Sequence, residues 1–471
     1  MPDSQKISEK QSEYMKLIAE IMDIRKRGEK PVAYIRTYGC QQNVADSEKI
    51  KGMLEQSGFE FADEPDNADF ILFNTCAVRE HAEDRVFGNV GALKNLKRKH
   101  PQILIALCGC MMEQEHVANK IYKSFPFVGL VFGTHSLHHF PELMYNALLD
   151  GKRVFERGND DNQLYEGFPV KRDGTFKGWL PIMYGCNNFC TYCVVPYVRG
   201  RERSREKNII VSEAKNMIES GYKDITLLGQ NVNSYLWRGD NQEVNFPALL
   251  AMVAQTVPNM RIRFATSHPK DMNDDILRAI ATHSNICKHI HLPFQSGSNS
   301  VLKDMNRKYT REWYLDRIHA IREIVPDCGI STDVFVGFHN ESEEDYQQTL
   351  ALMKEVMFDS AFMFKYSERP GTMASRNLPD NVDEEVKGRR LQELIDMQVE
   401  ISHQSNLKDV GKVFEVLVEG VSKKKSDELF GRSSQNKVIV FPDNGAKVGE
   451  LVQVRVTECT PATLIGEAIN Q

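Results

Sequence analysis

The chain has 471 residues, 41% hydrophobic and 26% charged, the composition of folded globular domains rather than of a disordered chain, and at about 150 residues per domain it has material for roughly three domains. Lys and Arg number 59 against 65 Asp and Glu, a net charge of -6, so contact with a polyanion must come from local patches and not from the whole surface. No run of about 18 apolar residues is present and the N-terminus is polar, which predicts a soluble, cytoplasmic protein with no membrane partner. The 10 cysteines are too sparse for a disulfide framework and, in a reducing compartment, read as metal ligands or redox groups.

In chain order, residues 1–30 predict a helical arm whose apolar stripe is Tyr14, Leu17, Ile18, Ile21 and Ile24. From Val32 the strands VAYIRTYGC, ADFILFNTC, QILIALCGC and LVFGT alternate with helical runs, predicting a four-stranded, Rossmann-like parallel-sheet domain over residues 31–150. Residues 151–178 are polar and Gly-rich, as a linker would be. Residues 179–405 carry the strand candidates WLPIMYG, DITLLGQ, RIRFATS, HIHLPFQS, GISTDVFVGF and SAFMFKYS, again alternating with helices. Six βα units are fewer than the eight of a closed barrel, so a partial (β/α)6 barrel is expected, followed by a long charged helix through Gln392, Leu394, Met397 and Ile401. Period-two alternation over residues 406–471 predicts a small β-barrel, with Lys423, Lys424 and Lys425 beside Phe430 and Arg432 as a solvated turn or a nucleic-acid contact. The whole is an α/β chain with a β-barrel appended.

The strongest chemical signal is Cys186-Asn-Asn-Phe-Cys190-Thr-Tyr-Cys193. Three thiolates on one loop can hold three irons of a 4Fe-4S cube and leave the fourth open to a small molecule, whereas zinc normally takes four ligands and the loop offers no fourth. The loop follows the first strand of the barrel, at the end where α/β barrels place their active sites. Cys40, Cys76 and Cys110 end three successive strands. The carboxyl ends of parallel strands share one edge, so these thiols should converge, an arrangement that also fits zinc or redox work. Cys108 reads as a buried small hydrophobe. The run Arg199, Arg201, Arg203, Arg205 and Lys207 offers phosphate contacts, or a helix cap and a solvated face.

The CxxxCxxC loop resembles that of the radical S-adenosylmethionine (SAM) superfamily, in which the open iron chelates the methionine part of SAM and an electron cleaves it to an adenosyl radical. Tyr-Gly-Cys40-Gln-Gln-Asn, Asn74-Thr-Cys76-Ala-Val-Arg79 and Gly109-Cys110 are similar to the N-terminal domain of methylthiotransferases. GCNNFCTYCVVPYVRGRERSR, LLGQNVNSY, RFATSHP, HLPFQSGS and SERPGT resemble the branch of that family called MiaB, which acts on N6-isopentenyladenosine at position 37 of tRNA, and the C-terminal barrel resembles its RNA-binding TRAM domain. Gln230, Asn231 and Asn233 are the part that points to this branch.

The resemblance implies two 4Fe-4S clusters, a radical-generating one on Cys186, Cys190 and Cys193 and an auxiliary one on Cys40, Cys76 and Cys110 that carries the sulfur. It implies two SAM molecules per turnover, one a methyl donor and one a radical source, with Tyr192 flanking the adenine. Gln230, Ser267, Gln295 and Asp333 are candidate SAM contacts near strand ends, where Ser and Asp also serve as helix caps. The implied partners are the tRNA anticodon loop, an external electron donor and a sulfur donor for the auxiliary cluster. Where the family has Gly-Phe-Pro-Gly-Glu-Thr this chain has Gly337-Phe338-His339-Asn340-Glu341-Ser342; Asn340 tolerates a left-handed turn, and His339 reads as a turn substitution. The alternatives are a sister enzyme acting on threonylcarbamoyladenosine in tRNA or on a ribosomal-protein aspartate, and an RNA-binding protein with structural metal sites.

Overall fold

The computed structural model describes residues 2–77, 80–158 and 163–469. They fall into two compact units, the first Met1–Gly174 with Tyr184–Asn187 and Val194–Arg203, the second Thr175–Met183, Asn188–Cys193 and Ser204–Gln471.

The first unit is built on a parallel sheet of β1 (Val32–Thr37), β2 (Glu60–Phe61), β3 (Phe70–Thr75), β4 (Leu104–Gly109), β5 (Leu130–Phe132) and β6 (Val154–Glu156), in the order β2-β1-β3-β4-β5-β6. Every residue of β3 and β4 is buried, because helices cover both faces and a two-sided strand must be apolar throughout. Side chains alternate between the faces: Phe70 and Leu72 join the core of Ile50, Leu54, Phe132 and Phe140, while Ile71 and Phe73 join Val86, Val90, Leu107 and Val117. Four strands are those expected; β2 and β6 extend the sheet at its edges, and with two and three residues each they are too short to show a period. The N-terminal helix Pro2–Lys26 buries Met15, Ile18 and Met22 in the first of these cores. Its stripe is rotated from the expected one, since Leu17 is 36% and Ile24 78% exposed.

In the second unit six parallel strands pair in chain order. Lys177–Pro181, Asp224–Leu228 and Arg261–Ala265 form one three-stranded sheet, and His289–His291, Gly329–Val336 and Ser360–Lys365 another, with an Ile262–Ile286 bridge between their neighbouring ends. This is the partial βα barrel read from the sequence. Intervening helices begin on side-chain caps: Asn245, Asn273, Thr310 and Ser342 each accept from an amide of the first turn, satisfying donors that the helix leaves open. The C-terminal strands Val413–Val421, Glu428–Arg432, Val438–Pro442, Leu451–Cys459 and Leu464–Ala468 close into a barrel around Val416, Val418, Leu429, Ile439, Phe441, Val454 and Leu464. That barrel is tied to the βα core through Arg261, which donates to the Arg432 and Glu415 carbonyls at 2.8 Å, and through Lys437, 2.6 Å from Asp409 and 3.1 Å from Asp359. Among the described residues no helix is long and apolar enough to cross a membrane.

Candidate functional site

Cys40, Cys76 and Cys110 do converge at the carboxyl edge of the first sheet. Cys76 directly follows β3, Cys40 caps the helix Gln41–Gln56, and Cys110 opens the short turn Cys110–Glu113. Two glycines set this geometry. Gly39 and Gly109 precede Cys40 and Cys110 with φ of 103° and 98°, a conformation that L side chains avoid. A Cβ on Gly39 would lie 2.3 Å from the Cβ of Cys76, and one on Gly109 2.3 Å from the Thr75 carbonyl.

The side chain of Asn43 stands between the Cys40 and Cys110 thiols. Its amide nitrogen donates to the carbonyls of Tyr38 and Thr75 at 3.0 and 2.9 Å. Its Oδ1 lies 3.9 Å from Cys40 Sγ and 3.7 Å from Cys110 Sγ and accepts from Arg199 Nη2 at 2.7 Å. Arg199 Nε donates to Cys110 Sγ at 3.1 Å, and Nη2 pairs with Asp46 at 2.8 Å. A hydrogen bond from Cys76 brings the Cys40 thiol down to about 5 against its desolvation, with the charge of Arg199 adding to the effect, while burial pushes Cys110 up to about 11. One thiol is thus drawn toward the thiolate and another is held as the thiol. Among the described residues no three Cys, His, Asp or Glu side chains already surround one point. Cys108, 1% exposed in the sheet core, is the buried hydrophobe expected.

Cys186, Cys190 and Cys193 occupy one short loop. In the first unit the Cys186 amide donates to the Gly200 carbonyl at 3.1 Å. In the second, the Cys193 amide donates to the Cys190 carbonyl at 2.9 Å, and Asn306 holds the Phe189 carbonyl at 2.8 Å. Cys190 Sγ accepts from Arg307 Nη1 at 3.3 Å. Tyr192 lies in an aromatic nest, 4.8 Å from the Phe335 ring and 6.3 Å from that of Phe338, its hydroxyl 3.4 Å from Arg307.

The candidate SAM contacts sit at strand ends in the second unit. The loops after Asp224–Leu228 and Arg261–Ala265 are laced together by Gly229 and Thr266, whose amides donate to the carbonyls of Ala265 and Gly229 at 3.1 and 3.2 Å, which places Gln230 and Ser267 on neighbouring loops. Among the described residues, Ser267 Oγ, Gln230 Oε1, Asn231 Oδ1 and both side-chain polar atoms of Asn233 are buried without a hydrogen-bond partner. Buried polar atoms are almost always paired, and an unpaired one costs about 1–3 kcal/mol, so this cluster fits a polar ligand. Gln295, with φ of 65°, bridges to Val334 beside Asp333. Asp333 Oδ1 lies 3.5 Å from His291 Nε2, and Ser331 Oγ is 3.0 Å from both His291 Nδ1 and His289 Nε2.

At Gly337-Phe338-His339-Asn340 the chain makes a turn with a left-handed residue at Asn340. Asn340 adopts a φ of 55° and bonds to Asn381, and His339 Nδ1 lies 2.9 Å from the Pro379 carbonyl. Of the basic run after the cluster loop, Arg201 is exposed and Arg203 and Lys207 are half-buried, while Arg199 and Arg205 turn inward. Arg199 is 5% and Arg205 1% exposed; the first meets Cys110 and Asp46, the second Glu213 and the Pro181 carbonyl. Arg199 ends the helix Val195–Arg199, whose Val198, with Val194 before it, packs on Ala77 and Cys110. Composition missed Arg199 and Arg307 as partners of cysteine sulfur; the only sequence signal was their nearness to cysteine and strand-end motifs. Lys423, Lys424 and Lys425 are exposed on the turn between the first two strands of the C-terminal barrel.

Residues 32–133 match the uncharacterized protein family UPF0004, residues 180–353 the radical SAM superfamily, and residues 407–469 the TRAM domain. A solved radical SAM methyltransferase, TsrM from Kitasatospora setae with cobalamin and a 4Fe-4S cluster bound, shares the fold at a TM-score of 0.55 and 12% identity over 82% of this chain and 81% of that one. Enzymes named tRNA-2-methylthio-N(6)-dimethylallyladenosine synthase are far more similar in sequence. That of Parabacteroides distasonis is 51% identical over 93% of this chain and 95% of its own. That of Thermoanaerobacter pseudethanolicus is 46% identical over 98% and 97%. The chain belongs to the tRNA-2-methylthio-N(6)-dimethylallyladenosine synthase family of radical SAM methylthiotransferases.

Proposed function

We propose that the chain installs a methylthio group on C2 of N6-isopentenyladenosine at position 37 of tRNA. The observation that carries this reading is the presence of two three-cysteine sets in one chain, one converging at a sheet edge and one on a CxxxCxxC loop, in a protein 46–51% identical to enzymes of that name. A C2–H bond offers neither an acidic proton nor a leaving group, so side-chain acid-base chemistry is insufficient and the cofactors must supply the reactivity.

In this reading Cys40, Cys76 and Cys110 hold the auxiliary 4Fe-4S cluster, and Cys186, Cys190 and Cys193 hold the second. Three ligands per cluster leave one iron of each open. When bound, the clusters and SAM supply the sulfur, the methyl group and the radical. Tyr192, Gln230, Ser267, Gln295 and Asp333 bind and orient SAM, with the unpartnered Ser267 Oγ and Gln230 Oε1 supplying polar contacts. The basic turn Lys423–Lys425 holds the RNA backbone without reading its sequence, while the target base leaves the anticodon-loop stack. A low-potential electron donor and a sulfur donor act as partners, and the protein works in the cytoplasm.

The test is anaerobic reaction of the reconstituted protein with SAM, a reductant and tRNA carrying isopentenyladenosine, followed by mass spectrometry of the nucleosides. The methylthio derivative is expected from this tRNA alone. Product from threonylcarbamoyladenosine tRNA or from a ribosomal-protein aspartate, with none here, would replace the reading by a sister activity.

A further inference from the structure

Among the described residues a buried arginine donates to a sulfur of each cysteine set, Arg199 to Cys110 and Arg307 to Cys190, and the two arginines differ in charge balance. In the first unit Arg199 Nε meets Cys110 Sγ at 3.1 Å while its Nη2 pairs with Asp46 at 2.8 Å, with Asp46 itself only 5% exposed. Guanidinium and carboxylate together are neutral. In the second unit Arg307, 8% exposed, meets Cys190 Sγ at 3.3 Å. Its other partners are uncharged: Tyr309 hydroxyl at 3.0 Å, the Pro293 carbonyl at 2.9 Å and Tyr192 hydroxyl at 3.4 Å. Among the described residues no carboxylate pairs with it.

A full positive charge in a desolvated place stabilises whichever oxidation state carries more negative charge, and far less so once a carboxylate cancels it. Hydrogen bonds to cluster sulfurs and local net charge are among the means by which proteins set iron-sulfur potentials. We propose that Arg307 raises the reduction potential of the cluster on Cys186, Cys190 and Cys193, while Asp46, by neutralising Arg199, keeps the auxiliary cluster harder to reduce. One electron from a low-potential one-electron donor is thereby directed to the cluster that must cleave SAM, leaving the sulfur-bearing cluster oxidised. Arg307 and Asp46 are positioning residues for charge. The inference rests on the proposed function for its two clusters.

The experiment is an EPR-monitored redox titration in two backgrounds that each retain one cluster, Cys40→Ala/Cys76→Ala/Cys110→Ala and Cys186→Ala/Cys190→Ala/Cys193→Ala. In the first, Arg307→Met is expected to lower the reduction equilibrium constant about tenfold, which is about 59 mV for a one-electron couple, and Arg307→Lys to restore most of it. In the second, Asp46→Asn is expected to raise it by a similar factor. Equal potentials for Arg307, Arg307→Lys and Arg307→Met at full iron content would overturn the proposal. So would an auxiliary potential unmoved by Asp46→Asn, which decides the matter alone should Arg307→Met lose its cluster. Failure of the proposed function shows differently, as absence of one cluster or of methylthio product, and neither depends on these shifts.

Discussion

Gly39 and Gly109 let the chain bend at the ends of β1 and β4, the two strands that flank β3, so that Cys40 and Cys110 come to the same sheet edge as Cys76. Gly109, at φ 98° and ψ -172°, is in a region open essentially to glycine alone, where another residue costs about 1–3 kcal/mol. Gly109→Ala, whose Cβ would also press on Asn74 Oδ1 at 2.4 Å, is expected to destabilise the first unit by about that much and to halve the iron bound after reconstitution; urea unfolding and iron assay check both. A second single-residue effect lies in the βα core. Burial, with Arg263, His291 and Arg432 nearby, brings His289 down to about 3 from 6.5. The folded state then refuses a proton that the unfolded chain takes up, so stability is complete above pH 6.5 and is lost as pH falls toward 3, by at most about 1.4 kcal/mol per unit. His289→Gln should flatten this acid limb in urea titrations between pH 6.5 and 4. Neither effect was legible beforehand: Gly-Cys pairs were visible, but the sign of φ and the burial of a strand histidine belong to the folded chain.

Among the elements, the C-terminal barrel makes the clearest predictions. Lys437 is shared by Asp409 at 2.6 Å and Asp359 at 3.1 Å, with side-chain exposures of 11, 10 and 23%. Removing one member of such a pair strands the others, so Lys437→Met is expected to cost about 3 kcal/mol, read as a lower unfolding midpoint for the second unit. The turn Lys423–Lys425 is a separate matter, since its side chains are exposed and contribute little to the fold. Replacing all three by Ser should leave the unfolding midpoint unchanged but reduce the slope of log affinity for tRNA against log salt by about 2. Sequence patterning sufficed for the six core strands, where the apolar runs alternate with helical segments, and for the existence of the C-terminal β-barrel. It failed for Glu60–Phe61 and Val154–Glu156, which are too short to show a period. It failed also for Arg199 in the basic run, which lies beside the packing of Val194 and Val198 on Ala77 and Cys110 and is buried.

At the scale of the whole molecule, the account requires two separate iron-sulfur sites in one chain. The cysteines were legible because chemistry fixes their type and spacing: CxxxCxxC within one loop, and one thiol at each of three parallel strand ends. Their supporting shell was not, since Asn43, Arg199 and Arg307 reach the sulfurs, and Asp46 reaches Arg199, from positions that no local pattern marks. The most direct measurement is iron and sulfide content after anaerobic reconstitution, for the wild type and for Cys186→Ala/Cys190→Ala/Cys193→Ala. About eight irons falling to about four is the predicted result, four per cubane; about four in the wild type falling to none, or zinc in place of iron, would contradict it.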